Sequence, residues 1–175
     1  MSAVQKEQLM TLGQILMAEL KHEAISTRKM LERIPADKLA WKPHEKSMSL
    51  EQLAGHIVNM FSWTNVTLKQ DELDFAKSDY KPKSYREASE LVADFDKNIE
   101  DAVETLSNIS NDEMAQTWTM RNGEQIYFTM PRAAVMRTFV MNHIIHHRGQ
   151  LSVYLRLLDV PLPSVYGPTA DEQTM

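Results

Sequence analysis

The sequence predicts an all-α protein built as a four-helix bundle, and two observations carry that reading. Four long stretches repeat apolar residues at three-and-four spacing, and each is bounded by a capping signal or a proline. Helices with one apolar face apiece bury those faces against one another, which makes a bundle the economical architecture. The first helix carries Leu9, Leu12, Leu16, Leu20, Leu31 and Ile34 and ends at Ile34-Pro35. After a polar loop with Trp41 and Pro43, Ser49 and Gln52 have the spacing of a capping box. Leu50, Leu53, Ile57, Met60, Phe61, Thr64 and Leu68 then form the second stripe. Asp71 to Lys83 is charged and contains Pro82, so it reads as a connection longer than the turns that join antiparallel neighbours. Ser84 and Glu87 supply a second capping box ahead of Ala88, Leu91, Val92, Phe95, Ile99, Val103 and Leu106. Between Thr117 and Thr129 the pattern changes around Asn122-Gly123, which fits a short β-hairpin or an irregular loop. Pro131 suits the first turn of the fourth helix, which runs through Val140, Ile144, Leu151, Leu155 and Leu158 until Val160-Pro161-Leu162-Pro163 stops it.

With 175 residues and no compositional break, the chain reads as one domain spanning 1–175, large enough to bury about 70% of the surface its unfolded form exposes. There is no cysteine, which removes disulfides, zinc–thiolate sites and any protein-borne thiol nucleophile. A net charge of -5 argues against nucleic acid as a general partner. Residues Met1 to Gln8 hold no apolar run of signal-peptide length, and no window approaches the roughly 18 apolar residues of a membrane span. The expectation is a cytoplasmic protein with no membrane partner. The 12 methionines lie along the helical stripes and read as core gap-fillers rather than copper ligands.

Three of the six histidines fall within Asn142-His143-Ile144-Ile145-His146-His147-Arg148-Gly149-Gln150. His143 and His147 stand four apart, a spacing that puts their Cβ atoms roughly 5–6 Å apart on one helical face, where two rings can converge on one metal ion. His56 shares the apolar face of Leu53 and Met60 and is the candidate third ligand. Buried imidazoles need partners for their nitrogens, and one shared divalent cation satisfies all three. The alternatives are separate hydrogen bonds for each ring, or a pairing of His143 with His146. Gly55 and Gly149 flank these positions and mark either close helix approach beside a metal or a notch for a bulky neighbour.

Leu53-Ala54-Gly55-His56-Ile57, followed far downstream by the His143 to Leu151 string and by Val160-Pro161-Leu162-Pro163-Ser164-Val165-Tyr166-Gly167-Pro168, resembles the DinB/YfiT-like superfamily of metal-binding bundles over nearly the whole chain. The resemblance implies an up-down-down-up topology with a long connection between helices two and three. It implies one divalent metal, zinc or nickel, at His56, His143 and His147, and a homodimer. His146 falls where the family commonly has an aromatic and stays outside the ligand set. Members with assigned activity are similar to low-molecular-weight thiol S-transferases or thiol-dependent isomerases.

Three neutral imidazoles leave a coordination position open, as in catalytic metal sites. Water or an incoming thiol ionises more readily there. A small-molecule substrate attacked by an imported thiol is the preferred reading; a metal-dependent hydrolase and a non-catalytic, stress-related metal-binding module are the alternatives. Arg148 reads as a surface or dimer-interface ion pair, with a carboxylate of thiol or substrate as its other role. Glu19, Glu23 and Asn142 are candidate acceptors behind the imidazoles. No residue beyond the ligands is assigned a catalytic role. Glu19-Leu20-Lys21-His22 lacks the second such string of a di-iron bundle, and His22-Glu23 meets Ser26 where a zincin has its second histidine.

Overall fold

The computed structural model describes residues 10–173; Leu9, the first member of the expected stripe, lies outside them. The described chain is mostly helical and carries one small sheet. Helix α1 spans Leu12–Glu32, α2 Leu50–Lys69 and α3 Ala88–Asn108, with a short α4 at Asn111–Ala115. The last helical run is continuous but not uniform. It consists of α5 (Arg132–Val135), a π-helical turn (Met136–Met141) and α6 (Asn142–Leu157), where the sequence pattern predicts unbroken α-helix.

Side-chain pairings fix the direction of each neighbour. Asn98 Nδ2 donates to the Val58 carbonyl and Thr105 Oγ1 to Asn65 Oδ1, so α2 and α3 run the same way. Gly13 meets Leu106 while Arg28 meets Asp96, so α1 runs against α3. Tyr154 reaches the Met48 carbonyl and Phe139 stacks on Trp63, so the last run opposes α2. Glu19 with Arg137 and Glu23 with Arg148 make it parallel to α1. The principal core gathers Leu20, Leu31, Leu53, Phe61, Phe95 and Leu151, among others, from all four long segments.

The Ser49–Gln52 capping box forms as expected. The Ser84–Glu87 box does not: α3 begins at Ala88, and its N-cap, Glu87, makes no side-chain capping bond. Tyr85 explains the difference. Its ring is buried against Gly55, its N–H donates to Glu51 Oε1 (2.9 Å) and its hydroxyl to Asp94 Oδ2 (3.0 Å), which holds the segment extended up to the helix. A box that the sequence reading passed over, Ser110 with Glu113, starts α4 instead.

Thr117 to Thr129 is a hairpin rather than an irregular loop. Strands β2 (Thr117–Asn122) and β3 (Gln125–Pro131) pair antiparallel around Gly123, whose φ of 59° lies in the left-handed region that favours glycine. The long connection also contributes a strand, β1 (Glu72–Asp74), parallel to β2. Asp74 anchors it by accepting the Gly123 and Ala76 N–H groups. Three residues carry too little alternation to announce a strand, so the sheet was legible only in its hairpin half. Trp118, Met120 and Val135 make a second, smaller core between the hairpin and the helices.

The last run ends in a Schellman arrangement in which Val160 N–H donates to the Leu155 carbonyl and Asp159 N–H to that of Arg156. Asp159 takes the left-handed position, φ 58°.

Gly13 sets the distance between α1 and α3. A Cβ there would stand 2.5 Å from the Leu106 carbonyl oxygen and 2.7 Å from Ile109 Cγ2. Gly13→Ala gains about 1 kcal/mol of helix propensity and loses more to overpacking against backbone, which costs about 1–3 kcal/mol. Chemical denaturation should show a net loss of stability, against the usual sign for glycine to alanine inside a helix.

Candidate metal centre

Helix α2 and the last helix oppose each other at mid-length, and the apolar neighbours of each histidine decide which way its ring turns. Leu53, Ile57 and Met60 are buried around His56; Ile144 and Leu151 do the same for His147. The rings of His56 and His143 lie 5.2 Å apart between centroids, His56 and His147 4.6 Å, and His143 and His147 4.6 Å. One ring nitrogen from each falls within 4.8 Å of the others, and among the described residues these three are the group close enough to share an ion. A tetrahedral centre with metal–nitrogen bonds of about 2.1 Å needs its nitrogens about 3.4 Å apart, a separation inside that limit.

The electrostatics suit a cation. Burial above all, then the neighbouring His147 and His143, lowers the pKa of His56 to about 4. Burial likewise lowers His143, with His147 and His146 adding to it, and lowers His147 against an opposing hydrogen bond from Gln150. Neutral imidazole is the metal-ligating form, so the packing that depresses these values also prepares the donors. His147 Nδ1 lies 2.7 Å from Gln150 Oε1. With the proton on Nδ1, the ring donates to that oxygen and turns the Nε2 lone pair outward.

The acceptors expected behind the rings are engaged elsewhere. Glu19 and Asn142 both meet Arg137, and Glu23 meets Arg148. Gln150 takes the part for His147; it lay inside the histidine string, three residues on, but an amide there carries no charge to draw attention. His146 is exposed and edges His147 at 4.8 Å without joining the trio. His22 is exposed as well.

Arg148 corrects the surface reading. It is 2% exposed and pairs with Glu23 at 2.5 Å within the same chain. It also donates to Ser26 Oγ (2.8 Å), the Glu23 carbonyl (3.0 Å) and the Tyr166 hydroxyl (2.7 Å). One residue beyond His147, it points about 100° around the helix toward α1, so the ligand face and the ion pair occupy adjacent sides of one helix. The two glycines part company: Gly55 is the notch for Tyr85, whereas a Cβ on the exposed Gly149 would meet nothing within 4 Å.

An aromatic wall that the sequence reading missed flanks His143. Trp63 and Phe139 stack at 5.0 Å, and Phe139 lies 5.5 Å and Trp63 6.2 Å from the His143 ring. Phe128 of the hairpin adds to it, 5.4 Å from Phe139. The signal available was the four-residue spacing of Phe139, His143 and His147. On the other side, His56 borders a cleft of about 880 Å³ between α2, α3 and the connection that joins them. Among the described residues, no helix is long and apolar enough to cross a membrane.

Comparison with known proteins bears on the family and the fold. A family model described as DinB family matches residues 5–174. YrdA of Bacillus subtilis (strain 168), an uncharacterized protein, is 26% identical over 157 residues, 86% of this chain and 85% of that protein. YjoA of the same organism, also uncharacterized, is 25% identical over 144 residues, 82% of this chain and 88% of that one. Among solved structures, a DinB-like protein of Bacillus cereus superposes with a TM-score of 0.66 at 24% identity, over 86% of this chain and 95% of that one. The YjoA structure gives 0.67 at 22% identity, over 92% and 99%. At these identities the two structures speak for the fold.

Two expectations follow from the site. Between pH 6.5 and about 4 an unfolded chain protonates at histidine while the folded His56 stays neutral, so the unfolded state binds more protons and acid destabilises the fold. The metal-free protein should therefore lose melting temperature as pH falls through that window, and His56→Gln should flatten the loss. Arg148→Met leaves Glu23 buried without its partner and should cost about 3–5 kcal/mol by urea denaturation, most of it recovered in the double variant with Glu23→Gln.

Proposed function

Because the chain belongs to the DinB family, we propose that it binds one divalent cation through His56, His143 and His147 and uses it in a transferase reaction of a small thiol. The observation that carries this reading is the convergence of three neutral imidazoles from α2 and the last helix beside a cleft, His56 and His143 half-buried and His147 buried. An all-nitrogen donor set suits zinc or nickel. A cation held there supplies Lewis acidity, lowering the pKa of a thiol or water that reaches it. Everything else falls to the chain's own residues. Gln150 fixes the tautomer of His147, the Trp63–Phe139 wall keeps water from one side of His143, and the cleft leaves His56 approachable from the other. The chain has no cysteine, so the sulfur would come from outside.

The directions of the four long helical segments support reading them as an up-down-down-up four-helix bundle. A homodimer is part of the same proposal. Val153 and Leu157 on α6 and Leu12, Ile15 and Ile25 on α1 leave apolar side chains exposed on the pair of helices away from the cleft.

Elemental analysis of untagged protein beside His147→Ala tests the site. One equivalent of metal per chain should fall by about tenfold or more in the variant at equal total metal; equal, negligible metal in both overturns the assignment. A thiol-consumption assay with an electrophilic acceptor, run before and after chelation, tests the activity. Chelation that unfolds the protein, with no thiol consumed at any metal loading, would favour the non-catalytic module instead. Consumption of a labile ester with no need of thiol would favour the hydrolase.

A further inference from the structure

The cleft beside His56 has a chemistry of its own. It lies where the parallel helices α2 and α3 diverge beneath the strap of residues 80–85, and its size is that of a site for a small organic ligand. Met48, Val58, Pro82 and Tyr85 give it apolar surface. The polar lining divides unequally once internal bonds are counted. Glu51 accepts from the Tyr85 N–H, and Asp94 accepts from Lys83 Nζ (2.6 Å) and the Tyr85 hydroxyl (3.0 Å), so both carboxylates are committed to the wall. Lys81 and Lys97 line the same space and have no ion-pair partner among the described residues.

The amides on α2 tilt the balance further. Gln52 and Asn59 precede and follow His56 by four and three residues and so share its face. Gln52 Oε1 accepts the Ser49 N–H (2.9 Å), while the Ser62 hydroxyl, 3.2 Å from Asn59 Oδ1, donates its one proton to the nearer Asn59 backbone carbonyl (2.7 Å). Each side chain also carries an NH₂ group with no partner among the described residues, a pair of donors available to the cleft. Donors therefore stand on either side of His56 and cations at the outer rim; Asp101 is the one lining carboxylate left without a partner among the described residues.

We infer that this cleft binds a small carboxylate-bearing molecule, its carboxylate held by Lys81 and Lys97 and its reacting end seated between Gln52 and Asn59 at His56. Seating the reacting end at a metal rests on the function proposed above; recognition of the carboxylate does not. A neutral or cationic ligand would make no ion pair with either lysine.

S-methylglutathione is a suitable probe, because it carries two carboxylates on a body of fitting size while its methylated sulfur cannot form a thiolate. Calorimetric titration of the full chain should show saturable one-site binding. Lys81→Glu combined with Lys97→Glu, both exposed and away from the core, should weaken it at least about tenfold with an unchanged melting curve, as should esterifying both carboxylates of the probe. His143 does not line the cleft, so His143→Ala should lose metal and keep probe binding. Absence of saturable binding, or equal affinity in the lysine variant, overturns the inference. So does loss of probe binding in folded His143→Ala, which would place recognition at the metal. Probe binding by a wild-type chain that takes up no metal would leave the cleft standing and remove the metal reading alone.

Discussion

Packing of α2 against the last helix is the interaction on which the rest depends. It is an antiparallel contact between apolar faces, each interrupted by histidine, and it forces imidazoles that water would otherwise solvate into one partly dry volume. Desolvation keeps the rings neutral, and among the described residues the side-chain hydrogen bond made by the trio is that of His147 Nδ1 with Gln150 Oε1. The same contact positions the aromatic wall on one side and the cleft on the other.

Behind the ligand face, the buried pair of Arg148 and Glu23 fastens that helix to α1 and draws in Tyr166 from the C-terminal tail. The tail is tied at further points, where Arg156 meets Asp171 and Arg33 meets Glu172. Charged groups this deep are retained when their geometry is specific, and here the specificity is rotational: Arg148 sets which side of α6 faces α1, and so which side presents His143 and His147.

How much of this could be read in the sequence depended on period and spacing. Four apolar stripes, the Ser49–Gln52 cap and the Asn122-Gly123 turn are local signals, and each produced the element it announced except that the fourth stripe is interrupted by the π-helical turn. The histidine trio was legible because a four-residue spacing on one helix and an apolar context on another both constrain direction. What stayed hidden arose from tertiary contact. Tyr85 overrides a capping box by docking on Gly55, β1 exists because β2 offers it an edge, and Arg148 is buried because Glu23 happens to face it. The donor balance of the cleft was likewise invisible, since it appears only after Glu51, Asp94 and Gln52 are seen to be engaged.

The π-helical turn at Met136–Met141 lies between the hairpin and the histidines. An i→i+5 ring accommodates one residue more than the α-helical ring around it. That extra residue lets the chain leave β3 at an angle suited to the sheet and still arrive at Asn142 in phase with α2. Mechanically it is a coupling joint between the hairpin and the last helix: the phase of the run is shifted by one residue before His143 and His147 are reached.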